Sequence, residues 1–131
     1  MDPELRQLFD EQVEAVLAEL PQVVHNLIKE VPLVVEDHPS QEVMRRMHIR
    51  HPAHLFGLYT GIPLIKRSVE QWGVLSDTVY IYRLGILSKS RSRNGEIDAR
   101  KLHEEIRRTI LHEYGHHVGL TERELRDLGY G

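Results

Sequence analysis

Apolar residues recur at helical spacing from the start of the chain, where Leu5, Leu8, Phe9, Val13, Val16, Leu17 and Leu20 fall on one stripe. Asp2 followed by Pro3 is a helix start, because the carboxylate can accept a free backbone N–H and proline already has a helical φ. The pattern therefore predicts an amphipathic helix that Pro21 interrupts, then a short helix from Gln22 to Leu27. Val31-Pro32-Leu33-Val34-Val35 is β-branched and predicts a strand, ended by Glu36-Asp37-His38-Pro39. Ser40 can cap another short helix, Gln41 to Met47. From Arg50 to Pro63 the prolines and glycines Pro52, Gly57, Gly61 and Pro63 predict a loop of the kind that forms one wall of a site.

Thr78-Val79-Tyr80-Ile81-Tyr82 has the clearest strand alternation, with Val79 and Ile81 on one face and Tyr80 and Tyr82 on the other. Gly85-Ile86-Leu87 is expected to continue it or return as a hairpin. If this strand is an exposed edge, it can hold an extended peptide by main-chain pairing. Ser88-Lys89-Ser90-Arg91-Ser92-Arg93-Asn94-Gly95 is basic and Ser-rich and predicts a mobile, solvated connector, with phosphate binding by Lys89, Arg91 and Arg93 as the lesser alternative. From Glu96 to Val118 no proline occurs, Leu102, Ile106 and Ile110 recur every fourth residue, and Asn94 or Asp98 can cap the start. A long helix anchored by one apolar stripe is expected.

The last turns of that helix carry the chemistry, as His112-Glu113-Tyr114-Gly115-His116 followed by Gly119 and Glu122. Residues four apart lie about 40° from each other around a helix, so both imidazoles can bind one ion. Glu113 sits one step round, out of coordination yet near enough to take a proton from a metal-activated water. Gly115 removes a side chain where a substrate or an adjacent strand needs room, and Gly119 can take the left-handed conformation that ends a helix and turns the chain back. Glu122 then supplies a carboxylate, leaving the fourth zinc position to water as catalytic sites require. Glu124 and Asp127 are the substitutes for that third ligand.

Composition narrows the chemistry further. The 131 residues fit one domain spanning residues 1–131, and 40% hydrophobic with 28% charged residues is ordinary for a soluble globular protein. No apolar run approaches membrane-spanning length, and the acidic Met1-Asp2-Pro3-Glu4 lacks the features of a secretory signal, so cytoplasmic residence is expected. With no cysteine, any metal is held by nitrogen and oxygen donors, which favours a catalytic zinc, one per chain. A net charge of -3 gives no global attraction for nucleic acid.

Other candidates weigh less. His48, His51 and His54 are spaced by three but interrupted by Pro52, so they need not share a face, and surface or core roles are expected rather than a second metal site. His117 points about 100° away from His116 and is expected as a helix-end cation or a donor behind the ligands. Tyr114 and Tyr130 carry hydroxyls that can in principle stabilise an oxyanion, though no spacing rule places them.

Thr109-Ile110-Leu111-His112-Glu113-Tyr114-Gly115-His116-His117-Val118-Gly119-Leu120, continuing through Glu122, Leu125 and Leu128-Gly129-Tyr130, resembles the bacterial minimal zincin-like metallopeptidases. Val34-Val35-Glu36-Asp37, Leu58-Tyr59-Thr60-Gly61-Ile62-Pro63-Leu64 and Val79-Tyr80-Ile81-Tyr82-Arg83 are similar to that family's other segments. The resemblance implies an α+β zincin-like domain with N-terminal helices, a small mixed sheet and a metal-binding helix near the C-terminus. It further implies zinc on His112, His116 and Glu122, Glu113 as catalytic base, and a peptide or unfolded-protein substrate. Family members often carry Asp where Glu122 stands, and the methionine turn of metzincins has no counterpart after the motif. Two other functions fit the same residues: a metal-dependent ribonuclease-like hydrolase, disfavoured by Glu113, Glu122 and the acidic chain, and a non-catalytic metal-binding or partner-binding module.

Overall fold

The computed structural model describes residues 1–61 and 77–130; Ile62, Pro63 and Leu64, where the predicted loop ends and part of the resemblance falls, lie outside the described residues. Helix α1 spans Pro3–Glu19, with the Asp2 carboxylate accepting the Glu4 N–H at 2.9 Å and Pro3 in the first turn, as the start signals predict. Its stripe buries Phe9, Val13 and Val16. Helix α2 (Gln22–Glu30) continues past Leu27, and Pro21 stands at its N-cap without a side-chain cap. Strand β1 is Leu33–Glu36, and α3 (Gln41–Arg46) is capped by Ser40 Oγ on the Val43 N–H.

The predicted loop after Arg50 is instead a 3₁₀ turn, Pro52–His54, followed by strand β2, Gly57–Thr60. Only four residues long, β2 gains its order from the neighbouring strand β3 (Thr78–Tyr82), which no local pattern reveals. The sheet order is β1-β3-β2, with β1 parallel and β2 antiparallel to β3. The condition for β3 to hold a peptide is not met: among the described strands it is central, with Val79 and Ile81 fully buried. Among the described strands the edge against the metal-motif helix is β2, and its first residue must be small. A Cβ on Gly57 would lie 2.8 Å from Thr109 Cγ2 and 3.0 Å from Glu113 Cγ.

Gly85-Ile86-Leu87 neither extends nor pairs with β3 but lies within helix α4, Arg83–Lys89. A short apolar run fits helix and strand equally, and packing decides in favour of the helix because Ile86 and Leu87 close the core. The basic stretch that follows is a folded turn rather than a mobile connector. Ser90 is fully buried with its hydroxyl on the Ile86 carbonyl at 2.7 Å, and the Arg91 guanidinium donates to the Gly95 carbonyl at 2.6 Å. An Arg91–Ile97 bridge closes it.

Helix α5 (Ala99–His117) is capped by Asp98, which accepts the N–H groups of Arg100 and Lys101, while Asn94 serves the preceding turn through the Glu96 N–H. Leu102, Ile106 and Ile110 are all fully buried, in one core cluster with residues of α1 and β3. Among the described residues no helix is long and apolar enough to cross a membrane.

The N-terminal half is tied to α4 by charge. Arg83, its side chain only 12% exposed, binds Asp10 at 3.0 Å and Asp37 at 2.9 Å, and Arg6 reaches Asp37 at 2.7 Å. The Arg6 hydrogen bond, with Arg83 assisting against the cost of burial, holds the Asp37 carboxyl below its ordinary 3.8. A folded value below the unfolded one stabilises the protein above about pH 4, and this is lost as pH falls through the folded value. Asp37→Asn is accordingly expected to cost about 1 kcal/mol at pH 7. In urea titrations its gap to the wild type should narrow as pH falls below the ordinary carboxyl value of 3.8; a gap constant with pH would refute the ion-pair origin.

Candidate metal centre

His112 and His116 stand one helical turn apart near the end of α5, with their Nε2 atoms 3.1 Å apart. His112 Nδ1 lies 2.7 Å from the carbonyl oxygen of Tyr130. A carbonyl only accepts, so Nδ1 carries the proton and Nε2 keeps its lone pair for a metal. Gly119, at φ +96°, ends the helix in the left-handed conformation as expected, and the Leu120 N–H returns to the Gly115 carbonyl at 2.9 Å.

The returning chain forms α6, Glu122–Asp127, started by a capping box in which Thr121 Oγ accepts the Glu124 N–H and the Glu124 carboxylate accepts the Thr121 N–H. Glu124 is thereby occupied, and Asp127 is outside the metal-competent group. Glu122 Oε1 lies 2.8 Å from His116 Nε2 and 3.4 Å from His112 Nε2. Tetrahedral ligands at zinc distances of about 2.0–2.1 Å stand roughly 3.3 Å apart, so His112, His116 and Glu122 fit zinc with only small shifts. The glycine of the motif has a different reason than expected. A Cβ on Gly115 would collide with Leu125 Cδ2, so the missing side chain makes room for α6, not for a substrate or strand.

Glu113 is 8% exposed and its Oε2 lies 3.9 Å from His112 Nε2, outside the ligand triangle. Burial pushes its carboxyl up to about 7; His112 and a backbone hydrogen bond from Tyr59 oppose the rise, while the Glu122 charge adds to it. Both protonation states are then within reach near neutral pH, as a proton carrier needs. A bound cation would draw the value back down.

Behind His112 and His116, His117 is buried with Nδ1 3.1 Å from the Tyr59 hydroxyl and 3.3 Å from Asp77 Oδ2. The Tyr59 hydroxyl donates to Asp77 at 3.2 Å. This cluster joins the end of α5 to β2. Tyr59 and Asp77 had no signal in the sequence, since their partner is remote along the chain. Tyr114, fully turned inward, donates to the Val31 carbonyl at 2.7 Å, which rules out the oxyanion role considered for it. Tyr130 contributes its backbone carbonyl, and a carbonyl leaves no trace in residue identity. His51 Nδ1 accepts the Ala53 N–H at 3.0 Å to start the 3₁₀ turn, and among the described residues no metal-competent group includes His48, His51 or His54.

A family model described as zincin-like metallopeptidase matches residues 28–131. The chain belongs to the zincin-like metallopeptidase family. No curated protein matches it. A cavity of about 370 Å³ opens beside His112 and Glu113, walled by Leu55, Phe56 and Thr109. Because the Tyr130 carbonyl orients His112, ending the chain at Leu128 is expected to weaken zinc binding by about 10–100-fold. Competition with a chelating dye measures this, and unchanged affinity would remove Tyr130 from the site.

Proposed function

We propose that this protein is a zinc-dependent peptidase in which His112, His116 and Glu122 hold the metal and Glu113 is the general base. The observation that carries the reading is the convergence of two imidazole nitrogens and a carboxylate oxygen, 2.8 to 3.4 Å apart, beside a buried carboxylate that is not one of them. Zinc bound there supplies Lewis acidity toward a carbonyl oxygen and acidifies a water molecule. Glu113 takes the proton of the attacking water and returns it to the departing amine, one residue serving both halves of the hydrolysis. The Tyr59 N–H steadies its carboxylate, and the Tyr59, Asp77 and His117 cluster steadies Tyr59.

An extended peptide suits the edge of β2. The Phe56 carbonyl accepts the Tyr82 N–H at 2.8 Å, so by ladder alternation Gly57 and Tyr59 turn their backbone groups away from β3. Tyr59 gives its N–H to Glu113, and Gly57, itself buried, lines the cavity beside that carboxylate. Elemental analysis tests the reading: about one zinc per chain is expected, lost in His116→Ala together with peptide cleavage. Wild-type protein purified gently without metal, or cleavage that persists in metal-free protein, would overturn it.

A further inference from the structure

A second hollow adjoins the cavity beside Glu113. The first, about 370 Å³, is bounded by Leu55, Phe56 and Thr109 and reaches Lys89 at its far side. The second, about 490 Å³, shares Phe56 and Lys89 and adds His51, His54 and Ser88. Because they share Phe56 and Lys89 the two hollows adjoin, and we read them as one groove from Glu113 past the 3₁₀ turn to the last turn of α4.

Charge varies along this groove. Near the metal, Glu105 and Arg108 both line it but pair with each other at 3.0 Å, and Glu105 is buried, so they cancel. Among the described residues no carboxylate lines the outer hollow, and Lys89 there is exposed and makes no ion pair. The outer half therefore presents one uncompensated cation with hydroxyl and imidazole groups, on a chain whose net charge is -3. The inner half is walled by Leu55 and Phe56 and suits an apolar side chain.

We propose that this groove selects peptide segments carrying an apolar residue at the metal and an acidic residue beyond it, and that Lys89 is the residue that reads the acid. The proposal rests on the peptidase reading and names its substrate class. Lys89 acts by charge on bound peptide and not on the chemical step, so its effect belongs to binding and KM rather than kcat.

The test uses zinc-loaded Glu113→Gln, which holds peptide without turnover, and fluorescein-labelled Ala-based decapeptides with a central Leu and an Asp pair on either side of it in turn. The same peptides with a Lys pair are the controls, and anisotropy reads binding. At least one Asp peptide should bind about fivefold tighter than its Lys counterpart, an advantage that shrinks in high salt. Adding Lys89→Glu should reverse the preference without changing zinc content, and Lys89→Ala should abolish it. Equal binding of all peptides, absence of binding, or a preference unchanged in Lys89→Glu would overturn the proposal. The peptidase reading fails separately: Lys89-dependent binding of a peptide that the wild type never cuts would leave the groove and remove the peptidase. Cleavage blind to charge would do the reverse.

Discussion

Glu113→Gln is expected to lower peptide cleavage by about 10²–10⁴-fold while zinc content stays at the wild-type level. The amide has the shape of the carboxylate and keeps an oxygen for the Tyr59 N–H, so the surroundings have no reason to move. What it loses is basicity. Because Glu113 lies outside the triangle of His112, His116 and Glu122, the proposed metal-binding set is untouched. Metal analysis alongside cleavage separates the two roles. Equal activity in wild type and variant would end the general-base assignment, and loss of zinc would make Glu113 a ligand.

The second large effect is on stability. Phe9→Ala is expected to cost about 3–5 kcal/mol in urea unfolding, the range for emptying a buried aromatic position. Phe9 is fully buried on α1, in one cluster with Ile106 and Ile110 of α5, and the Arg83 guanidinium stands 5.9 Å from its ring centroid. Truncation leaves a void on the face of the helix that carries both histidines. Total stabilities of about 5–15 kcal/mol make this a large fraction, so the variant should be markedly less stable without zinc and partly rescued by it. A loss under about 1 kcal/mol would mean that α1 packs more loosely than its burial indicates.

The local signals that proved readable were those in which one residue satisfies one backbone group. Asp2, Ser40 and Asp98 cap the helices they were expected to cap, and Gly119 ends α5 at φ +96°. The stripe Leu102, Ile106, Ile110 needed only the helical repeat, and all three are buried. Reading failed where a segment's state depends on its neighbours. Gly57 to Thr60 looks like loop because Gly57 within it and Gly61 after it lack strand propensity, yet it pairs with β3 and needs Gly57 to clear Thr109 and Glu113. Gly85-Ile86-Leu87 is compatible with either period, and its burial in α4 decided between them.

By itself the sequence determined the ligand-bearing helix, its cap and stop, and the pairing of two imidazoles with an adjacent carboxylate, because helical periodicity is local and converts spacing directly into direction. The sequence put Glu122 first but left Glu124 and Asp127 open, and tertiary structure decided which of them returns to the histidines. Glu124 is consumed by the Thr121 capping box, while Leu125 packs into the space left at Gly115 and seats α6 so that Glu122 faces His116. It also decided that β2 and not β3 is the edge beside the site, and that the Tyr130 carbonyl sets the His112 tautomer. These depend on contacts between segments distant along the chain, whose energies arise only when the elements pack.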